Sequence, residues 1–109
     1  MYYTYDQNNS GGHFILNDRV TYTVIVEAKS AAEADEKAED HGIYFNGCND
    51  GSDCPCCGDR WHKQWGEGSK TPEIYGKHPK EHKDVMCKKG EVYCYIYHAD
   101  GTKETFIKE

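Results

Sequence analysis

A chain of 109 residues has room for one domain with a modest core, and not for separate catalytic and regulatory lobes. Its formal net charge of -6, from 13 basic and 19 acidic side chains, argues against duplex nucleic acid as a ligand, which would need clustered Lys and Arg to displace counterions. No apolar run approaches the roughly 18 residues of a membrane span, and Met1-Tyr2-Tyr3-Thr4-Tyr5-Asp6 lacks the basic-then-apolar pattern of a secretory signal. The expected setting is therefore a reducing cytosol with no membrane partner. There the six cysteines read first as metal ligands or small buried hydrophobes, not as three disulfides. Leu and Ile are scarce but there are nine tyrosines, so tyrosine must supply much of the core and each buried hydroxyl will need a partner.

In chain order, Met1 to Tyr5 reads as an edge strand. Asp6-Gln7-Asn8-Asn9-Ser10-Gly11-Gly12 follows, a loop of small polar residues whose glycines can reach positive φ and expose successive amides to an anion; an ordinary turn is the alternative. It lacks the Lys and Ser/Thr of a Walker loop. Val20 to Ala28 alternates as the clearest strand, placing Val20, Tyr22, Val24, Val26 and Ala28 on one face. It leads into a helix capped by Ser30, with Glu33 completing a capping box, alanines at helical spacing up to His41 and Gly42 as the stop. The outer face of that helix, with Glu33, Asp35, Glu36, Glu39 and Asp40, is acidic and suits either solvent or a basic partner. Ile43-Tyr44-Phe45 reads as a returning strand, and Asn46 to Asp53 as a turn-rich loop. Arg60 to Trp65 reads as a further strand with Trp61 and Trp65 on one face. From Gly66 to Gly90 the pattern is a long surface excursion with a short helix near His82 to Met86. Val92 to His98 and Lys103 to Lys108 form a hairpin. A two-residue Asp100-Gly101 loop would set Tyr95 opposite Phe106 and Tyr97 opposite Glu104.

Asp53-Cys54-Pro55-Cys56-Cys57-Gly58-Asp59-Arg60-Trp61 is the most distinctive stretch. A Cys-Pro-x-Cys-Gly run has the form of a metal knuckle, with Cys54 and Cys57 as the first pair of zinc ligands. His78 and His82, with three residues between them, form a candidate second pair. Cys87 with Cys94 competes, and Cys48 or His62 can supply single ligands. A glutaredoxin-like dithiol reading of Cys54-Pro55-Cys56-Cys57 requires its reactive thiolate to sit at a helix N-terminus, and Gly58-Asp59-Arg60-Trp61 does not start a helix. A single-cysteine nucleophile with His62 and Asp59 is a further alternative. So is a tight turn whose cysteines simply pack. Trp61, Trp65, Tyr75 and the tyrosines of the last hairpin divide between core, for most of them, and a surface for stacking or docking.

Tyr5 to Gly12, Val26-Glu27-Ala28 with Ser30 and the alanine helix ending Gly42-Ile43-Tyr44-Phe45, Asp53 to Trp61, and Pro72-Glu73-Ile74-Tyr75-Gly76 together resemble a family of short tailed-bacteriophage proteins of unknown function. The resemblance implies a phage accessory protein made in the host bacterial cytoplasm and carries no activity or site residues with it. The expected fold is a single α+β domain, an antiparallel sheet of four to six strands with the Ser30 to His41 helix on one face and the cysteine-rich loop inserted. With no acid/base constellation in view, the expected function is a non-enzymatic binder or inhibitor of a host component. The expected partner is a host protein or a small anionic nucleotide. For the nucleotide, Asn8, Asn9, Ser10, Gly11 and Gly12 would hold phosphate, Arg60 would neutralise it and Trp61 would stack on the base. A small zinc-stabilised interaction module is the alternative, and homo-oligomerisation stays open.

Overall fold

The computed structural model describes residues 1–74, 76–81 and 87–108. Its architecture follows from one short strand. The β-branched run after Val20 pairs only from Thr23 to Glu27 (β2), where Val24, Ile25 and Val26 are all completely buried. A strand with successive residues buried must be covered on both faces and paired on both edges. β1 (Tyr2–Asp6) lies antiparallel to it, with Thr4 opposite Ile25. β3 (Val92–Tyr97) lies parallel on the other side, with Ile96 opposite Ile25. β4 (Lys103–Ile107) pairs antiparallel with β3, giving the order β1-β2-β3-β4. The α+β class and the single main helix are as expected. The sheet is mixed instead of wholly antiparallel because β2 runs into a helix, and a strand that returns after such a crossover can lie parallel.

That helix, α1 (Ala31–Asp40), begins as its cap predicts. The Ser30 hydroxyl accepts from the Glu33 amide at 3.1 Å. Its end explains why Ile43 to Phe45 is not a strand. Gly42, at φ +100°, donates to the Glu39 carbonyl, and Ile43 donates to Ala38 at 3.0 Å. This is a Schellman close, in which Ile43 folds back onto Ala38 within the core and has no backbone left for a ladder. A short helix, α2 (Gly47–Asp50), follows where a loop is expected. Nor do residues 60–65 form a strand: Trp61 is 1% exposed and Trp65 is 91% exposed.

The sheet divides two clusters. Tyr3, Tyr5, Val24, Val26, Ala34, Ala38 and Trp61 pack on the α1 side, and Ile25, Ile74, Tyr93, Cys94 and Ile96 on the other. Val20 and Ala28 join the α1 side as the alternation predicts, but Tyr22 packs against the opposite cluster, because the chain bends before β2 begins. The surface excursion covers that second face with Ile74 and Pro79, and the Tyr93 hydroxyl donates to the Pro79 carbonyl at 2.8 Å. The helix expected near His82 to Met86 lies outside the described residues.

The final hairpin leaves its ladder one residue earlier than expected, drawing Ala99 into the loop. His98 and Thr102 close a three-residue loop, with the Thr102 carbonyl accepting from the His98 amide at 2.9 Å, Gly101 at φ +91° and the Asp100 carboxylate accepting from the Thr102 amide at 2.9 Å. Tyr95 therefore faces Thr105, and Tyr97 faces Lys103. A one-residue change of register moves side chains to the other face, which is how Phe106 comes to join Cys94 and Ile96. A bulge at Tyr93 then restores the pairing of Val92 with Ile107.

The tyrosine hydroxyls find partners as a tyrosine-rich core requires. Tyr5 donates to the Asp35 carboxylate at 2.6 Å, Tyr95 to the Asn17 carbonyl at 2.7 Å and Tyr97 to the Arg19 carbonyl at 2.5 Å. Burial pushes the phenol of Tyr97 up to about 12, and burial with the Asp35 carboxylate raises that of Tyr5 as well. The unfolded chain releases these protons near pH ~10 while the folded chain keeps them. Their contribution is thus fully present below about pH 10; that of Tyr97 is lost as pH rises through about 12, and that of Tyr5 persists to higher pH. Urea unfolding at about pH 8, 10 and 11 should show falling stability, with a shallower decline in Tyr5→Phe; a profile flat to about pH 11 would contradict this assignment.

Candidate functional site

Asn46, in the left-handed region at φ +58°, and Gly51, at φ +87°, bracket α2 and turn the chain back so that the Asp53 amide donates to the Gly47 carbonyl at 3.0 Å. Asp53 is thereby buried beneath the cysteine turn. Its carboxylate accepts from the Tyr44 hydroxyl at 2.5 Å and from the Arg60 amide at 2.8 Å. The Arg60 guanidinium, 2% exposed as a residue, lies beside it with Nε 3.5 Å from Asp53 Oδ1.

The remaining guanidinium donors are directed inward. Nε donates to the Tyr44 hydroxyl at 3.0 Å, Nη1 to Gln7 Oε1 at 3.1 Å and to the His13 carbonyl at 2.7 Å, and Nη2 to the Ser10 carbonyl at 2.7 Å. Gln7 extends the network by pairing with both backbone groups of Ile15 and donating to the Thr21 carbonyl. From the other side, Ser10 Oγ accepts from the Cys54 amide at 2.9 Å, and Asn8 Nδ2 donates to the Cys57 carbonyl at 2.8 Å. Arg60 is thus the centre of a clamp that joins the polar loop, the turn after α1 and the cysteine turn.

This arrangement assigns the expected ligand residues to different places. Asn8, Ser10 and Arg60 do come together, but they hold one another. Asn9, Gly11 and Gly12 stand at the surface, where the Gly12 amide donates to the Asn9 carbonyl. Trp61 lies in the core, and its indole nitrogen is the one buried side-chain polar atom without a partner among the described residues. A ligand on the surface loop therefore meets neither the Arg60 charge nor the Trp61 ring.

Gly47 is sterically required here. A Cβ at that position would collide with the Asp53 carboxylate and stand 2.8 Å from Tyr44 Cε2. Gly47→Ala is expected to cost about 1–3 kcal/mol by forcing Asp53 away from Arg60, read as a lower urea midpoint at unchanged slope.

Cys54 to Cys57 forms a tight turn in which the Cys54 carbonyl accepts from the Cys57 amide at 3.1 Å and the Gly58 amide at 3.2 Å. Gly58 sits at φ +88°, which is why glycine follows the last cysteine. Hydrogen bonds from the Cys57 thiol and from the amides of Cys57 and Cys56 hold the Cys54 thiol below its ordinary range. Cys48 donates to the Cys54 carbonyl at 3.3 Å, while desolvation and the Asp59 carboxylate push its own thiol up to about 11. The candidate metal set does not assemble within the described residues. His78 stacks edge-on against Phe106 beneath the other face of the sheet, and His82 lies outside them. Among the described residues no three His, Cys, Asp or Glu side chains are grouped so as to hold a metal ion.

Trp65 does not share a face with Trp61 as the alternation predicts, since Trp61 is buried and Trp65 is exposed. Its neighbours are anchored: the Gln64 amide donates to Asp35 on α1 at 3.0 Å, and Gln64 Nε2 to the Thr4 carbonyl at 2.6 Å. Beyond it, Ser69 and Tyr2 exchange backbone hydrogen bonds at 2.7 and 2.8 Å. The indole is therefore held out from a fixed backbone beside α1, whose Glu36, Glu39 and Asp40 are exposed.

Residues 1–109 match the family described as Domain of unknown function (DUF7296). The chain belongs to the DUF7296 family. No curated protein and no solved structure matches it. For this DUF7296 chain the arrangement of its own residues is thus the basis for a functional reading. No helix among its described residues is long and apolar enough to cross a membrane.

Proposed function

We propose that this protein acts by binding, as a phage accessory protein that occupies a basic host protein in the bacterial cytoplasm, with Trp65 as its anchor. The observation that supports this most is Trp65 itself, 91% exposed on a backbone pinned at Gln64 and Ser69. A large amphipathic ring on a fixed backbone loses little freedom on docking, and such residues dominate binding energy at interfaces. The acidic exposed face of α1 and the net charge of -6 favour a partner surface with basic residues around an apolar pocket. The phage setting rests on the resemblance of the quoted segments. A sequestered nucleotide is the less favoured version, because Arg60 and Trp61 are occupied inside the fold.

The test replaces Trp65 with a photo-crosslinking phenylalanine analogue in the full chain, expressed in the infected host. The expected result is crosslinking to one basic protein. Binding of that protein, once purified, should weaken at least about tenfold in Trp65→Ala and fall with added salt. Crosslinks spread over many abundant proteins, or affinity unchanged in Trp65→Ala, would overturn the reading. Nucleotide co-purifying with the protein would favour the sequestration version. Near-stoichiometric zinc whose removal unfolds the chain would favour a zinc-stabilised module.

A further inference from the structure

The cysteine turn has a geometry that the binding role does not use. Cys54 and Cys57 are the first and last residues of a hydrogen-bonded four-residue turn, which sets their Cα atoms within about 7 Å, the range a disulfide can span. The Cys57 amide donates to the Cys54 carbonyl at 3.1 Å and the Gly58 amide to the same carbonyl at 3.2 Å, which closes the turn and holds its two end residues together. Cys57 is exposed and Cys54 partly so, and both ends of the turn are tied down by Ser10 and Asn8.

We propose that Cys54 and Cys57 form a redox-active dithiol that exchanges with small-molecule disulfides of the glutathione type. The Cys54 thiolate attacks one sulfur of the disulfide, forming a mixed disulfide and expelling one thiolate, which takes up a proton. The Cys57 thiol then loses its proton and attacks the Cys54 sulfur, closing the Cys54–Cys57 bond and releasing the second small thiol. The protein dithiol is oxidised by two electrons, and one disulfide is reduced to two thiols. Two of the other cysteines are closed off from the step. Cys94 is fully buried in the sheet, and the Cys48 thiol is turned to the Cys54 carbonyl.

The test equilibrates the full-length protein in graded mixtures of reduced and oxidised glutathione near pH ~7, traps free thiols and maps them by mass spectrometry. Two thiols should disappear together, at Cys54 and Cys57. Cys57→Ser should stop with a single glutathione on Cys54, and Cys54→Ser should abolish the two-thiol step. Urea unfolding of each variant shows that it is folded before its thiols are counted. Oxidation that maps to Cys56, Cys48 or Cys87, or a Cys54–Cys57 bond that forms no more readily than in the urea-unfolded chain, would overturn the proposal.

Discussion

Replacing Arg60 with Met is expected to remove about 3–5 kcal/mol of folding stability, enough to leave the chain largely unfolded if it has the marginal stability usual for its size. The loss does not arise from the Coulombic attraction alone. Removing the guanidinium leaves the buried Asp53 carboxylate without its counter-charge, although the Tyr44 hydroxyl and the residue-60 amide still donate to it, and also takes a donor from Gln7 Oε1 and from the carbonyls of Ser10 and His13. Arg60→Lys should recover only part of the stability, since one ammonium cannot reproduce a planar fork that reaches four acceptors in different directions. Asp53→Asn should cost less in the Arg60→Met background than in the wild type, because the two groups form one network. An Arg60→Met protein within about 1 kcal/mol of wild type in urea unfolding would show that the clamp is not what joins the polar loop to the cysteine turn.

The second large effect separates the two tryptophans. Trp61→Ala is expected to cost about 3–5 kcal/mol, since it empties a site at the centre of the α1-side cluster, whereas Trp65→Ala should stay within about 0.5 kcal/mol of wild type. Fluorescence gives an independent check. In Trp61→Phe the remaining emission should be red-shifted and readily quenched by iodide, and in Trp65→Phe it should be blue-shifted and protected. Equal quenching of the two variants, or equal losses of stability, would refute the burial contrast on which the proposed anchor rests.

Local chemistry made much of this fold legible. Ser30, Glu33, the alanine spacing and Gly42 define α1 because each acts within one or two turns of its own position. β2 could be read from its β-branched residues, and the final hairpin from its Asp-Gly signal. The same kind of reading misplaced the hairpin register by one residue, because Asp-Gly serves both two-residue and three-residue loops. The Asp100 contact to Thr102 and the position of Phe106 chose between them. Likewise Trp61 and Trp65 look equivalent when alternation is assumed. They differ because no strand forms there, and Gln64 fixes the backbone so that one ring faces inward and the other outward.

The candidate site shows the same division. Cys54, Pro55, Cys57 and Gly58 announced a tight turn with converging thiols, and that turn is present with its Gly58 at positive φ. Gln7, Tyr44 and Asp53 gave no signal as partners of Arg60, since their separations in sequence are too large for any local rule.

By itself the sequence determined the α+β composition, the capped helix, the central strand and the cysteine turn, all features governed by φ preferences, capping and periodicity over a few residues. Only the tertiary structure decided the parallel pairing of β2 with β3, the inward fate of Arg60 and Trp61, and the outward fate of Trp65. Those outcomes depend on which distant groups compete for the same buried space and the same hydrogen-bond acceptors, and that competition is settled only when the chain has closed around them.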